Sequence, residues 1–346
     1  MDRKIALVGW GYPPHIDGGL DIHVKELFIG LKERGVDVEL FLPEENAPDM
    51  EEVTGLETGE GDMIQMARKM SAEIAAKSEA YDLIHTHDWF GAEAGYKCKK
   101  YGDMKWVSTM HSLSSSRNRN THSEVERLEK VAVKKSDVAL AVSSKLASEI
   151  EEEYSDRPQV IRNGFSEASE TGRDVKEDLG IDEDMIFFVG RHAEQKGLKH
   201  LIYGFKKYIE ENEAALVIGG SGHMTEGLKE FAEILGIEEK VFFTGFIPED
   251  ELGDYYQSAD LFVSPSINEP FGLTITEALN AGTPVAATDN GVKELISEEY
   301  ITSIDPDSDS ICEGISKGLE KDFSELKNTR SWDNMVDELM DVYRDL

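Results

Sequence analysis

Short runs of β-branched and aromatic residues alternate with helical patterns along all 346 residues of the chain. Such alternation is typical of parallel sheets whose faces are covered by helices. The first half of the sequence predicts strands at 5–9, 38–42, 82–86, 106–110, 138–142 and 159–163. The second half predicts strands at 185–189, 215–219, 241–245, 261–265 and 284–288. Since the length also exceeds that of one ordinary domain, we expect an α/β protein with two doubly wound units.

A polar stretch at 166–180, which has neither helical nor strand periodicity, separates the two strand series. We place the linker at its start, so that residues 1–166 form the first domain and residues 167–330 the second, with an interdomain cleft between them. The segment 331–346 has apolar residues at helical spacing and follows the completed second sheet, so it must pack elsewhere. The acidic stretch 44–62 is predicted to be a long surface loop.

The charge balance excludes two classes of partner. Lys and Arg total 36 against 70 Asp and Glu, and the net charge of -34 disfavours nucleic acid and anionic membrane surfaces. A carboxylate-rich surface stays hydrated in concentrated salt, so we hypothesise a salt-adapted source. The two cysteines, Cys98 and Cys312, suit neither a disulfide framework nor a zinc site, and no run of about 18 apolar residues occurs. We therefore expect a cytoplasmic protein without a transmembrane segment.

Ligands of parallel α/β sheets bind at the carboxyl ends of the strands, and several loops there are unusual. After the first predicted strand, Gly18 and Gly19 open a helix and would let the backbone approach an anion closely. Pro14 stands where a dinucleotide fingerprint has its third glycine, so a plain tight turn is the alternative. After the strand 185–189, Arg191 and Lys196 share one short loop. This pair can hold a diphosphate without a metal, unless the two are surface cations that balance neighbouring acids.

Two glutamates flank a predicted helix start in the sequence NEPFGLTITEAL. If the helix begins near Gly272, the amides of about residues 272–275 have no intrahelical partner and favour a phosphate. Glu277 lies one turn inside, and its side chain leans back toward the N-terminus, where it can accept both hydroxyls of a ribose. Glu269 can reach the hydroxyls of a sugar beyond the phosphates. The alternative is a helix-capping acid beside a solvated face.

The loop after the strand 106–110 begins with His111 and contains Arg117. A single His after a strand is usually a hydrogen-bonded structural residue, although the length and basic content of this loop favour a functional one. His85, His87 and Asp88 suggest a metal, but strand alternation puts both His on one side without a clear third and fourth ligand. We therefore expect no metal site.

Together these motifs resemble the retaining GT-B glycosyltransferases, specifically glycosyltransferase family 4, over nearly the whole chain. The most specific element is E-x7-E within EPFGLTITEAL, followed by AGTPVAATDNGVKELI. Supporting elements are GRHAEQKGLKHLI, the Gly18-Gly19 loop and STMHS around His111. HTHDW and HSLSSSRNRN are similar to the branch that contains glycogen and starch synthases.

The resemblance implies two Rossmann-like domains, of which the first is completed by the final helix 331–346. It also implies that Arg191 and Lys196 bind the donor diphosphate, Glu277 the ribose and Glu269 the transferred sugar. The remaining donor-binding residues that it implies are Gly18, Gly19, Phe246, Ile247, Phe271, Gly272, Leu273 and Thr274.

The acceptor side is implied by the same resemblance. His111 would lie beside the 6-hydroxyl end of the sugar, with Asp88 and Arg117 as acceptor contacts. The implied reaction moves a hexose, with glucose as the first candidate, from a nucleotide-diphosphate sugar such as UDP- or ADP-glucose to a hydroxyl acceptor, without a cofactor. A growing α-glucan is the acceptor in the glycogen-synthase interpretation, and a cell-surface glycan or glycolipid is the alternative.

Two competing interpretations use the same residues. A glycoside hydrolase would use Glu269 and Glu277 as its pair of carboxylates, but it would not need Arg191 and Lys196. A non-catalytic nucleotide-sugar-binding protein would bind the donor without transfer. Because no side chain clearly stands as a covalent nucleophile, we favour a transferase in which attack occurs on the face of the leaving group and the anomeric configuration is retained.

Three positions depart from the family pattern. Ile16-Asp17-Gly18-Gly19 lacks the lysine of the starch synthase K-x-G-G loop, which weakens the glucan interpretation. The P-N-G pattern before the linker is Arg162-Asn163-Gly164, and the usual Gly-Gly before the late helix is Asn290-Gly291. None of these changes removes a residue on which the site prediction depends.

Overall fold

The computed structural model describes residues 3–16, 18–117, 123–321, 326 and 329–346. The chain divides into two compact units, of which unit 1 comprises Met1–Gly164 and Ser331–Leu346 and unit 2 comprises Phe165–Arg330. The predicted limits at residues 166 and 330 lie close to these boundaries. Within the described ranges, no helix has the length and apolar character needed to cross a bilayer.

Unit 1 contains a parallel sheet flanked by helices. Its described strands are β1 Lys4–Val8, β2 Asp37–Pro43, β3 Val53–Leu56, β4 Leu83–His87, β5 Lys105–Met110, β6 Val138–Ala141 and β7 Gln159–Val160. Its helices before the linker are α1 Gly19–Glu33, α2 Met63–Ala76, α3 Ala92–Gly102, α4 Ser114–Arg117, α5 Ser123–Lys135 and α6 Ser144–Tyr154. The strand order is β3-β2-β1-β4-β5-β6-β7. The order reverses between β1 and β4, and this switch point is where loops diverge and leave room for a ligand.

Unit 2 repeats this arrangement. Its described strands are β8 Asp184–Val189, β9 Ala214–Gly219, β10 Val241–Gly245, β11 Leu261–Ser264, β12 Val285–Ala287 and β13 Ile301–Ser303. Its helices are α7 Val175–Leu179, α8 Leu198–Tyr208, α9 Thr225–Ile234, α10 Leu252–Ser258, α11 Leu273–Asn280 and α12 Ser308–Leu319. The order β10-β9-β8-β11-β12-β13 has its switch point between β8 and β11. Two parallel, doubly wound sheets therefore confirm the predicted fold class.

Three short elements differ from the sequence prediction. β3 lies inside the segment 44–62, which was predicted to be a loop, and β13 was not predicted at all. Both are edge strands that pair on one side only, and neither is long enough to show a period of two. α7 lies inside the stretch 166–180, where the Asp174 side chain accepts a hydrogen bond from the amide of Glu177 and left-handed Gly180 ends the helix. Asp174 and Gly180, as capping residues, were the sequence signals that could have predicted α7.

The last helix, α13 Trp332–Asp345, belongs to unit 1 and packs against α1. The apolar residues that were noted at helical spacing form its buried face, and Met335, Val336 and Leu339 are each at most 1 % exposed. Gly30 of α1 permits the close approach, because a Cβ there would lie 2.7 Å from Cγ2 of Val336. The core of unit 1 therefore includes the C-terminal segment.

We predict that Leu339→Ala lowers the free energy of unfolding of unit 1 by about 3 kcal/mol, because it removes a large side chain from a closed core. The matched control, Asp345→Ala, changes an exposed residue of the same helix and should shift the free energy by less than about 0.5 kcal/mol. Chemical denaturation in concentrated KCl measures both. Equal effects of the two changes would contradict the docking of α13.

Candidate functional site

The loops that follow four strands of unit 2 meet at the carboxyl edge of its sheet. Backbone hydrogen bonds join neighbouring loops, at Gly190–Gly219 (3.2 Å), Gly220–Gly245 (2.6 Å) and Gln195–Ile267 (2.8 Å). The loops after β8 and β11 lie on either side of the switch point. This edge carries Arg191, Lys196 and Glu269, which the sequence singled out from separate segments.

Lys196 and Glu269 form an ion pair. Nζ of Lys196 lies 2.8 Å from Oε2 of Glu269, and the Ser266 hydroxyl lies 3.0 Å from the same oxygen. The Lys196 side chain is 26 % exposed and that of Glu269 is 12 % exposed, so part of the pair is accessible to a ligand. From the sequence, Lys196 was predicted to bind a phosphate and Glu269 a sugar. The contact between these two residues and the contribution of Ser266 were not predicted. The pair holds both functional groups in place beside the switch point.

Arg191 has a different environment. Its side chain is exposed, and it makes no hydrogen bond or ion pair with any other residue that the structure describes. In a chain with 70 acidic residues, a cation without a carboxylate neighbour keeps its full set of guanidinium donors available. The guanidinium can therefore bind an anion at little cost in broken contacts.

The predicted helix start near Gly272 is confirmed, because α11 begins at Leu273. Gly272 has a left-handed backbone with φ of 106°, which a residue with a Cβ adopts only with strain. Of the amides predicted to be open, that of Ile275 is bound to the carbonyl of Gly272 at 3.0 Å. The amides of Leu273 and Thr274 precede this bond and have no partner within the helix. Fewer amides are therefore open to an anion at the start of α11 than the sequence predicted.

Glu277 lies in the middle of α11 and is partly buried. Its Oε2 accepts a hydrogen bond from the hydroxyl of Tyr256 at 2.8 Å. The pKa of Glu277 is raised to about 7, chiefly by burial and to a smaller extent by the charge of Glu249, against the lowering effect of the Tyr256 hydroxyl. The sequence missed Tyr256, which is fully buried on α10 and offered no motif of its own. Glu277 is thus a carboxyl group whose charge changes near neutral pH.

Phe246 and Ile247 follow β10 at the same edge of the sheet. Ile247 is buried and packs against Gly219, where a Cβ would lie 2.5 Å from Cδ1 of Ile247. Phe246 is 74 % exposed and presents a large aromatic ring to solvent. The exposed ring of Phe246 lies at the carboxyl edge of the sheet and offers a surface on which a flat ligand can stack.

The glycine loop of unit 1 is open. Gly18 and Gly19 are both exposed, and a Cβ at Gly18 would meet no atom within 4 Å. The backbone of Gly18 is extended, with φ of 172°, so its conformation does not itself require glycine. The absence of a side chain therefore leaves space at the start of α1, and a close approach of an anion would require such space.

His111 follows β5 and is 9 % exposed. Its amide donates to Oδ1 of Asp88 at 2.6 Å, and its Nε2 lies 3.0 Å from Nδ1 of His87. Asp88 is 1 % exposed, so its carboxylate has a structural role, and its acceptor contact stays a prediction. Arg117, the other predicted acceptor contact, is the last residue of α4. The side chains of unit 1 thus hold His111 from two directions.

His23 of α1 completes a cluster with His87 and His111 that the sequence did not predict. Its ring centroid lies 4.6 Å from that of His111 and 5.1 Å from that of His87. Burial lowers the pKa of His23 to about 4, against the smaller effect of its hydrogen bond to Asn163. The sequence showed no clear third ligand for His85 and His87, because His23 is distant from them in sequence. The sequence signal that could have identified His23 is its position on the apolar face of α1.

One of the departures from the family pattern has a clear structural role. Oδ1 of Asn290 accepts from the amides of Val292 (3.0 Å) and Lys293 (3.3 Å), and its Nδ2 donates to the carbonyl of Thr288 at 2.7 Å. Asn290 therefore caps the turn at 291–294 with its side chain, and this segment remains ordered without a second glycine.

The two units and their loops define a protein of the GT-B glycosyltransferase class. Residues 17–168 match the family model of Glycosyltransferase Family 4, and residues 173–333 match that of Glycosyl transferases group 1. The chain is also 33 % identical to the uncharacterized glycosyltransferase MJ1607 of Methanocaldococcus jannaschii, with 99 % of this chain and 98 % of that protein covered. The chain therefore belongs to the group 1 and family 4 glycosyltransferases, as its motifs predicted.

Solved structures show the same fold. Sucrose-phosphate synthase from Thermosynechococcus elongatus has a TM-score of 0.83 at 22 % identity, with 99 % of this chain and 98 % of that chain covered. HepE of Anabaena in complex with UDP-glucose has a TM-score of 0.74 at 16 % identity, with 99 % and 100 % covered. These similarities confirm the predicted GT-B fold.

Gly272→Ala should lower the free energy of unfolding of unit 2 by roughly 1–2 kcal/mol, because alanine is strained at this positive φ. The control is the same change at Gly227, which is exposed on α9 and where a Cβ meets nothing within 4 Å. Gly227→Ala should instead raise the free energy by roughly 0.5–1 kcal/mol. Urea denaturation gives both values, and a neutral effect at Gly272 would refute the strained helix start.

Proposed function

We propose that the protein is a retaining hexosyltransferase that uses a nucleotide-diphosphate sugar as donor and a hydroxyl group as acceptor. The observation that carries this proposal is the ion pair of Lys196 and Glu269 at the switch point of unit 2, on the same edge as Arg191. This edge offers cations for a diphosphate and a carboxylate for sugar hydroxyls. The chain's own cations and amides take the place of a metal or other cofactor.

Glucose is the first candidate for the transferred sugar. The structurally similar HepE was solved with UDP-glucose, which supports a UDP-sugar as one candidate donor beside an ADP-sugar. The exposed ring of Phe246 and the carboxyl group of Glu277 would receive the base and the ribose. A growing α-glucan remains our first acceptor, and a cell-surface glycan or glycolipid is the alternative.

The difficult step is departure of the nucleotide diphosphate from the anomeric carbon. Negative charge grows on the leaving oxygen while the sugar takes on oxocarbenium character. Arg191, Lys196 and the first amides of α11 would stabilise that charge more strongly in the transition state than in the bound substrate. The acceptor hydroxyl attacks from the same face, and the leaving phosphate takes its proton.

The ion pair prepares this step. Without a ligand, Glu269 neutralises Lys196 and holds its ammonium group in position. When a diphosphate binds, its oxygens would compete for the ammonium group, and the carboxylate of Glu269 would become free to accept hydrogen bonds from the sugar. The two glutamates have separate partners, since Glu277 is bound to Tyr256, and this arrangement favours transfer over the hydrolase interpretation.

A donor screen tests the proposal. UDP-, ADP- and GDP-sugars are added to the protein in concentrated KCl, and the melting temperature and the products with glucan and glycolipid acceptors are measured. We expect one nucleotide sugar to raise the melting temperature and to give a product whose anomeric configuration, determined by NMR, matches that of the donor. Inversion, or free sugar released from a simple glycoside, would refute the proposed mechanism.

Lys196→Ala should lower kcat by about 100-fold or more, because loss of one preorganised donor costs on the order of 3 kcal/mol in the transition state. Arg191→Lys keeps the charge but loses the bidentate contact, so a smaller loss is expected. The control Lys199→Ala removes an exposed cation three positions further on and should leave kcat unchanged. Initial rates with the donor found above decide between these outcomes, and equal rates for Lys196→Ala and Lys199→Ala would contradict the assignment.

The donor KM should fall as the pH rises through about 7. Glu277 is protonated below its raised pKa, and only the carboxylate can accept hydrogen bonds from both ribose hydroxyls. Glu277→Gln removes the ionisation at nearly constant size, so its KM should be higher than that of the parent above pH 7 and should lack this pH dependence. The prediction is checked by measuring KM in both proteins from pH 6 to 8, a range that extends about one pH unit on each side of the pKa. A pH-independent KM in the parent would exclude Glu277 from ribose binding.

A further inference from the structure

The cluster of His23, His87 and His111 comes from three elements of unit 1 that the fold brings together. One ring nitrogen from each lies within 4.8 Å of those from the other two. His23 and His87 are at most 1 % exposed, while His111 keeps 9 % of its surface exposed and connects the cluster to solvent. Three converging imidazoles are a donor set that zinc, nickel and copper prefer.

Two buried nitrogens of this cluster have no hydrogen-bond partner among the residues that the structure describes. They are Nε2 of His23 and Nε2 of His87. A buried polar atom without a partner is costly, so each such atom requires an explanation. An ion that accepts the lone pair of Nε2 of His23 would satisfy that atom. The ion would not satisfy Nε2 of His87, because His87 faces His111 through its Nδ1.

We propose that His23, His87 and His111 bind one transition-metal ion of the class that prefers imidazole ligands, with Zn²⁺ as the representative. The separation of 3.0 Å between Nδ1 of His87 and Nε2 of His111 is close to the distance of about 3.3 Å between two ligands of a tetrahedral ion with bonds of about 2.05 Å. His23 closes the third side, and its ligand nitrogen lies within 4.8 Å of the other two. The remaining coordination positions are left for water or a substrate hydroxyl.

The contact between His23 and Asn163 fits a metal ligand. Nδ1 of His23 lies 2.8 Å from Oδ1 of Asn163, and the oxygen can only accept, so Nδ1 carries the proton. The lone pair of His23 is then on Nε2, which is the nitrogen without a partner. Metal-binding histidines are usually oriented in this way by an oxygen that accepts a hydrogen bond from the other ring nitrogen.

Metal binding is measured by equilibrium dialysis of the full chain against Zn²⁺, followed by elemental analysis. An excess of Mg²⁺ and concentrated KCl occupy the acidic surface, since hard cations prefer carboxylate oxygens. We expect one Zn²⁺ per chain and a loss of affinity of at least about tenfold in His23→Gln. No Zn²⁺ above the level of surface binding, or unchanged affinity in His23→Gln, would overturn the proposal.

His85→Gln is the matched control. His85 stacks on His87 with ring centroids 4.6 Å apart, but both of its nitrogens have partners, at 2.5 Å to the Tyr343 hydroxyl and 2.8 Å to that of Thr109. It lies in the same core and outside the ligand set, so Zn²⁺ binding should survive its replacement. Equal loss in a folded His85→Gln protein would overturn the assignment.

A spectroscopic measurement on the parent protein does not depend on any variant. Co²⁺ in a four-coordinate imidazole site has visible absorption bands much stronger than those of the hydrated or carboxylate-bound ion. We expect such bands to appear with one equivalent of Co²⁺ and to disappear on addition of Zn²⁺. A spectrum that stays that of the hydrated ion would refute the site.

If His111 has the role implied by the family resemblance, a bound ion should also inhibit transfer, and this consequence rests on the proposed function. Binding and inhibition are separate readouts. Binding without inhibition would exclude His111 from catalysis but leave the metal site intact, whereas a fully active enzyme that binds no Zn²⁺ would refute the metal site alone.

Discussion

Parallel strands place all of their following loops at one edge of a sheet, and the functional residues of this protein depend on that constraint. Arg191 and Lys196 follow β8, while Glu269 follows β11, and β8 and β11 are neighbours although they are far apart in sequence. The two loops contact each other, since the amide of Ile267 donates to the carbonyl of Gln195 at 2.8 Å. The ion pair of Lys196 and Glu269 joins the same two loops.

The net charge of -34 makes each uncompensated cation informative. A cation in such a chain ordinarily gains by approaching one of many carboxylates, as Arg34 does with Asp333 and Asp337. Lys196 has one such partner, placed so that an incoming anion can replace it, and Arg191 has none among the described residues. Arg191 is therefore available to an anion because no described acid pairs with it, and Lys196 becomes available when an anion displaces Glu269.

Element type was predictable from the sequence because buried parallel strands need continuous apolar runs, as in β8 and β9, and because the amphipathic period of α1 and α13 extends over several turns. Short edge strands such as β3 carry no such signal. At the site, the start of α11 was predictable because the glycine that precedes it has a backbone requirement. The partners Tyr256 and Asn163 were not, since each contact joins residues that the chain separates by 21 and 140 positions. Such pairs are fixed only by tertiary packing.

The HTHDW segment shows why one motif can serve both fold and site. Alternation along β4 puts His85 and His87 on the same face, where their rings stack. His85 bonds to Tyr343 of α13 and so ties the C-terminal helix to the sheet, whereas His87 contacts His111. Asp88 then leaves the strand with a positive φ of 46° and binds the amide of His111. The end of β4 and the residue that follows it thus fix the last helix and orient the ring that the family resemblance places beside the sugar.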